Sequence, residues 1–135
     1  MYYKEVLVDT SELEIELQVI ASKYGFCPKI ISTRVVDNKC IIEMDYINDD
    51  CLADKYGDDP SNIPIWIWDE IRTMVQTLYD HEGIEYVDIT PYNFIEKDNR
   101  IYMIDFGDAR YANEEIDWFL DEFMGGENYW NPDYK

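Results

Sequence analysis

A hairpin in the C-terminal half constrains this chain more than any other feature. Phe94-Ile95 and Ile101 to Ile104 are short apolar runs flanking Lys97-Asp98-Asn99-Arg100, a polar turn. Asp88 and Asn93 stand just before the hairpin and Asp105 just after it. Two carboxylates and an amide thus flank one hairpin.

The rest of the chain supplies elements on which that hairpin can rest. Ile67, Ile71, Met74, Val75 and Leu78 line one face at helical spacing, and Gly83 lies just beyond them, which predicts a long amphipathic helix. Earlier, Ser11 three residues before Glu14 reads as a capping box that opens a first helix over about 11–24. Leu13, Leu17, Ile20, Ala21 and Tyr24 form its expected apolar face, with Gly25 at its exit. Tyr2 to Val8, Ile30 to Val36 and Cys40 to Ile47 read as strands, the last two joined by a tight turn at Asp37-Asn38-Lys39. The polar segment 48–64 reads as a connector. Near the end, Ile116, Phe119, Leu120 and Phe123 suggest one more helix, capped by Asn113 and stopped by Gly125-Gly126.

With 135 residues, 47% of them hydrophobic and 16% aromatic, the chain has room for one core and enough apolar surface to bury in it. We therefore expect a single α+β domain over 1–135, with a sheet and first helix in 1–47, the connector, and a helical part in 65–135 ending in an acidic, aromatic tail. Thirty Asp+Glu against eleven Lys+Arg give a formal charge of −19, which repels phosphate backbones and argues against direct nucleic-acid binding. No stretch has the apolar length of a membrane span, and the opening Met1-Tyr2-Tyr3-Lys4-Glu5 lacks the layout of a secretory leader, so an intracellular, cytoplasmic protein is expected. Cys27, Cys40 and Cys51 form no metal-binding pair, and nothing in the sequence supports a Cys27–His81 nucleophile pair.

The spacing from Asp88 to Asn93, and from there across the hairpin to Asp105-Phe106-Gly107, resembles the catalytic loop and metal-binding motif of protein kinases. Phosphoryl transfer needs a carboxylate to orient an attacking hydroxyl and oxygen ligands for magnesium on the phosphates. By that resemblance Asp88 is the catalytic base, while Asn93 and Asp105 are magnesium ligands. The bland reading of Asp88 and Asn93 is a turn around Pro91 whose side chains satisfy loop amides. Ile41 to Ile47 resembles the kinase strand and hinge, with Met44 as gatekeeper and the backbone of Asp45 to Ile47 facing the adenine of ATP. The same residues also read as a half-buried edge strand. Lys4 on the first strand and Glu16 on the first helix are the expected ion pair that positions the nucleotide phosphates. Glu14 is the alternative partner for Lys4, with its capping role in competition, and both charges also read as solvated surface groups.

The resemblance covers roughly 2–110 and implies a minimal kinase-like fold, a small antiparallel sheet with one helix plus a reduced helical C-terminal lobe. Several departures accompany it. No Gly-rich loop precedes Lys4, Val87 stands where the family has arginine, and Thr90 follows Asp88 at a position where many members have lysine. The threonine is similar to that of the small atypical kinases of the RIO and KEOPS-associated type. Phosphotransfer from ATP with magnesium to a Ser/Thr hydroxyl is the function the resemblance implies. The alternatives are a pseudokinase that binds a protein partner and an acidic mimic that blocks a basic one. Trp118, Phe119, Phe123, Tyr129, Trp130 and Tyr134 in the tail are expected either to pack as core or to form a self-association surface.

Overall fold

The chain enters its first helix straight from a strand. A computed structural model describes residues 1–112 and 118–132. In it, β1 (Tyr2–Leu7) runs without a loop into α1 (Val8–Lys23). The helix starts earlier than the capping pattern predicts, because a backbone group does the work assigned to Ser11. Leu7 holds the N-cap position with no side-chain hydrogen bond, and the Val8 amide donates to the Asn38 carbonyl of the neighbouring turn at 3.2 Å. Ser11 instead lies inside the helix and donates to the Val8 carbonyl at 3.0 Å, which leaves Glu14 free to face inward. At the far end Gly25 takes φ +78°, and the amides of Gly25 and Phe26 bond the Ser22 and Ala21 carbonyls in a Schellman turn.

Strands β2 (Ile30–Val36) and β3 (Lys39–Met44) complete an antiparallel sheet of order β1-β3-β2. Asp37 and Asn38 take φ of 51° and 64°, the left-handed pair that a two-residue hairpin turn requires. Alternation along β3 buries Cys40, Ile42 and Met44 against Val6, Ile15 and Ile30.

The buried face of α1 differs from the expected one. Leu17 and Ala21 are buried, but together with Ser11, Glu14 and Gln18, while Leu13 remains 42% and Tyr24 38% exposed. Specific polar contacts set this rotation. Gln18 Nε2 donates to the Pro28 carbonyl at 2.9 Å, the Cys27 thiol donates to the Gln18 carbonyl, and Glu14 meets Lys4.

A short helix α2 (Leu52–Tyr56) and a 3₁₀ turn at Pro60–Asn62 lead to α3 (Ile65–Glu82), the central helix of the main core. Its buried stripe is the expected one with Trp68 added, and Gly83 ends it at φ +66°. Around α3 lie two small antiparallel ladders, β4 (Ile84–Glu85) with β7 (Arg110–Tyr111) and β5 (Phe94–Lys97) with β6 (Arg100–Met103). Asp98 and Asn99, at φ 53° and 62°, repeat the turn chemistry of the first hairpin.

In the tail, Phe119–Phe123 forms one π-helical turn, and Phe119, Phe123 and Trp130 are fully or nearly fully buried. Trp130 packs on Trp68 with ring centroids 4.6 Å apart, and Trp118 packs partly buried against the same core. These rings serve as core, whereas Tyr129 is exposed. Asn113, Ile116 and Tyr134, singled out from the sequence, lie outside the described residues. Among the described residues no helix is long and apolar enough to cross a membrane.

The rotation of α1 is open to a direct test. Leu17→Ala should cost about 2–5 kcal/mol as a core truncation, and Leu13→Ala at most about 0.5 kcal/mol as a surface change. Equal losses in urea unfolding would contradict the assignment of the buried face.

Candidate active site

The loop between β4 and β5 is anchored before it presents any chemistry. Tyr86 is fully buried, its ring 5.8 Å from that of Phe94 and 5.2 Å from that of Phe106. Behind this anchor Asn93 Nδ2 donates both to the Asp88 carbonyl at 2.9 Å and to Asp88 Oδ2 at 2.8 Å. The pair is thus held in one geometry rather than left as two separate loop residues. On the far side of the hairpin the Ile104 amide donates to the Asn93 carbonyl at 3.0 Å, which sets Asp105 beside this loop.

Asp105 is the point at which the two halves of the chain meet. Its Oδ1 accepts the Gly107 amide at 2.8 Å and the Lys4 ammonium at 3.1 Å. A Cβ on Gly107 would stand 3.1 Å from that same oxygen and 3.4 Å from Glu14 Oε1, so the turn leaves little room for a side chain. Lys4 also bonds Glu14, whose side chain is 6% exposed. Glu14, and not the expected Glu16, is thus the partner of Lys4. Glu16 points away and accepts from the Tyr111 hydroxyl at 2.6 Å, because the rotation of α1 turns Glu14 inward.

Burial works against charge on Lys4, but the hydrogen bond to Glu14 and the attraction of Asp105 and Glu14 outweigh it and hold the ammonium pKa above its ordinary value. Asp88 is shifted up as well, first by desolvation. The hydrogen bond from Asn93 opposes this shift, whereas the neighbouring carboxylates of Asp108 and Asp105 add to it.

Between the halves lies a cleft of about 290 Å³, close to the lower end of the roughly 300–1,000 Å³ usual for small-ligand sites. Lys4, Met44, Asp45 and Ile47 line it from one side, Asn93 and Asp105 from the other. Asp88 and Glu16 do not line it. Within the hinge-like segment the Asp45 amide donates to the Lys29 carbonyl at 3.0 Å and is already engaged, while Tyr46 and Ile47 also face the cleft. Burial pushes the Cys27 thiol up to about 12 and leaves it a core group.

The magnesium ion that the resemblance implies is a hard cation that takes one or two protein carboxylates and completes its shell with water and phosphate. No cluster of three or more acidic, His or Cys ligands occurs among the described residues. The donor set nevertheless fits an ion that takes few protein ligands. Asp105 is 42% exposed at its side chain and lines the cleft together with Asn93, whose amide oxygen is a second hard donor.

Sequence reasoning missed three partners of this site. Asp108 sits against Asp88. Glu85 is completely buried, and its Oε2 accepts from Arg110 Nε at 3.1 Å and Nη2 at 3.0 Å. Tyr111 reaches Glu16. The only available signal was the acid in the otherwise apolar run Ile84-Glu85-Tyr86-Val87, which demands a cation once buried.

Because the raised folded-state pKa of Asp88 disfavours its charged form, this group favours folding below its unfolded-state pKa and loses that contribution as pH rises through the raised value. Asp108→Asn removes a like charge and should lower the Asp88 pKa, whereas Asn93→Ala removes a stabilising donor and should raise it further. Carboxyl-carbon NMR titration reads both shifts, and an unmoved Asp88 in the two variants would contradict the electrostatic account.

Over 81% of its length the chain superposes on the kinase PK-1 of Cydia pomonella granulovirus with a TM-score of 0.66 at 21% sequence identity. The match spans 42% of that kinase, so the chain corresponds to less than half of its length. No protein-family model matches the sequence, and no curated protein does either. The architecture is therefore an α+β kinase-like fold in reduced form.

Proposed function

We propose that the chain binds ATP with magnesium in the cleft and transfers the terminal phosphoryl group to a hydroxyl, that of a serine or threonine on a protein partner. The observation that carries this reading is the junction of Lys4 with Glu14 and Asp105 at a cleft that Asn93, the residue that holds Asp88, also lines. Lys4, kept charged by its two carboxylates, binds a phosphate oxygen. Asp105 and Asn93 would hold a magnesium ion, which would supply positive charge against the phosphates. Met44 closes the back of the cleft, and the segment 45–47 offers peptide groups to the base. Asp88 orients the acceptor hydroxyl and takes its proton. The acceptor oxygen forms the new bond to phosphorus as the bond to the bridging oxygen of the leaving diphosphate breaks.

A second reading is a module that binds a protein partner without transfer. It is favoured by the position of Asp88, which does not line the cleft.

Titration calorimetry separates these. Wild type should bind ATP only with magnesium, and Asp105→Ala should weaken that binding by about tenfold or more. Asp88→Ala should bind nearly as wild type and lose about 10²–10⁴-fold in transfer rate. Absence of binding at millimolar ATP, or transfer retained by Asp88→Ala, would overturn the proposal, and binding without transfer by wild type selects the second reading.

A further inference from the structure

We infer that the two-residue strand β7 is a clasp that fixes the rotation of α1, with Tyr111 as a positioning residue for the Lys4–Glu14–Asp105 junction. The inference deepens the phosphotransfer reading and rests on it for its functional consequence. The buried stripe of α1 contains Ser11, Glu14 and Gln18, while Leu13 and Val19 lie exposed, so apolar burial alone does not set the rotation of this helix. Other contacts have to do so.

Glu14 and Glu16 are two positions apart on a helix that turns about 100° per residue, so they project to nearly opposite sides. Lys4 holds the first and Tyr111 the second. Gripping both sides adds to the buried Gln18–Pro28 hydrogen bond and fixes the helix about its axis, which one ion pair on a long, flexible lysine side chain does not achieve.

The clasp is itself anchored. The backbone of β7 pairs Tyr111 with Ile84 and Arg110 with Glu85, and the Ala112 amide donates to the Gly83 carbonyl at 2.8 Å. Arg110 adds two hydrogen bonds to the fully buried Glu85 carboxylate. An ion pair of this kind resists removal, because breaking it leaves a buried charge without a partner. β7 therefore sits rigidly on the end of α3, three residues past Gly107, and its second side chain reaches out to α1. The same short segment thus follows the Asp105 turn and grips the helix that carries the partner of Lys4. Glu16, expected from the sequence to pair with Lys4, acts on that lysine indirectly, through the orientation of the helix.

Amide hydrogen exchange on the full chain tests this, with magnesium-ATP affinity as a second readout. Tyr111→Phe and Glu16→Ala should each speed exchange in α1 by about three- to tenfold, leave α3 unchanged and weaken magnesium-ATP binding. Glu16→Gln keeps an acceptor oxygen for the Tyr111 hydroxyl and should restore most of the protection. Unchanged exchange in α1, an equal rise in α3, or a Glu16→Gln variant as exposed as Glu16→Ala would overturn the clasp. If wild type binds no nucleotide, the functional reading fails alone, and the clasp stands or falls on the exchange data.

Discussion

The Lys4 ammonium joins the first strand to residue 105, and the shape of the cleft depends on that junction. Lys4 is drawn toward Glu14 on α1 and Asp105 after the hairpin, so one cation ties together the sheet, the helix and the C-terminal half. The site around it is rich in acid. Asp88 is shifted up by desolvation first and then by the neighbouring carboxylates of Asp108 and Asp105. A cation at this point offsets part of that repulsion, and partial burial strengthens its effect relative to a surface pair.

The same economy recurs through the molecule. With eleven Lys+Arg against thirty Asp+Glu, cations are scarce, and several of them stand at junctions between distant segments. Arg72 on α3 bonds the Phe123 carbonyl and Asn128 and lies 4.4 Å over the Phe123 ring, which holds the tail on the core. Lys55 on α2 reaches Asp49 and the Glu96 carbonyl on β5. Arg110 neutralises the buried Glu85. The excess acid meanwhile lies largely on solvated surface, where it favours solubility and costs little.

The sequence made the chemistry of the second half legible because local rules governed it. The Asp-Asn turn, the apolar stripe of α3 and the spacing of Asp88, Asn93 and Asp105 each depend on residues close in the chain, and the structure brings Asn93 to Asp88 and Asp105 to the cleft. The α+β architecture followed from the same local signals. What eluded sequence reading was long-range. Ser11 and Glu14 match a capping box, but the carbonyl of Asn38, thirty positions away from Val8 in the chain, supplies the acceptor, and Glu14 goes to Lys4 instead. Leu13 and Tyr24 match an apolar face, but polar contacts to the sheet and the Pro28 carbonyl decide the rotation. β4 and β7 are two residues each, too short for any periodicity, and their register is set by Glu85 and Arg110.

The central claim is that a nucleotide is held where the two halves meet at Lys4. Backbone NMR shift mapping during titration with magnesium-ATP tests it most directly. The account predicts saturable shifts concentrated at Lys4, Met44 to Ile47, Asn93 and Ile104 to Asp105, with the outer face of α3 around Asp69 to His81 unmoved. Shifts concentrated on that outer face, or none at all, would contradict it.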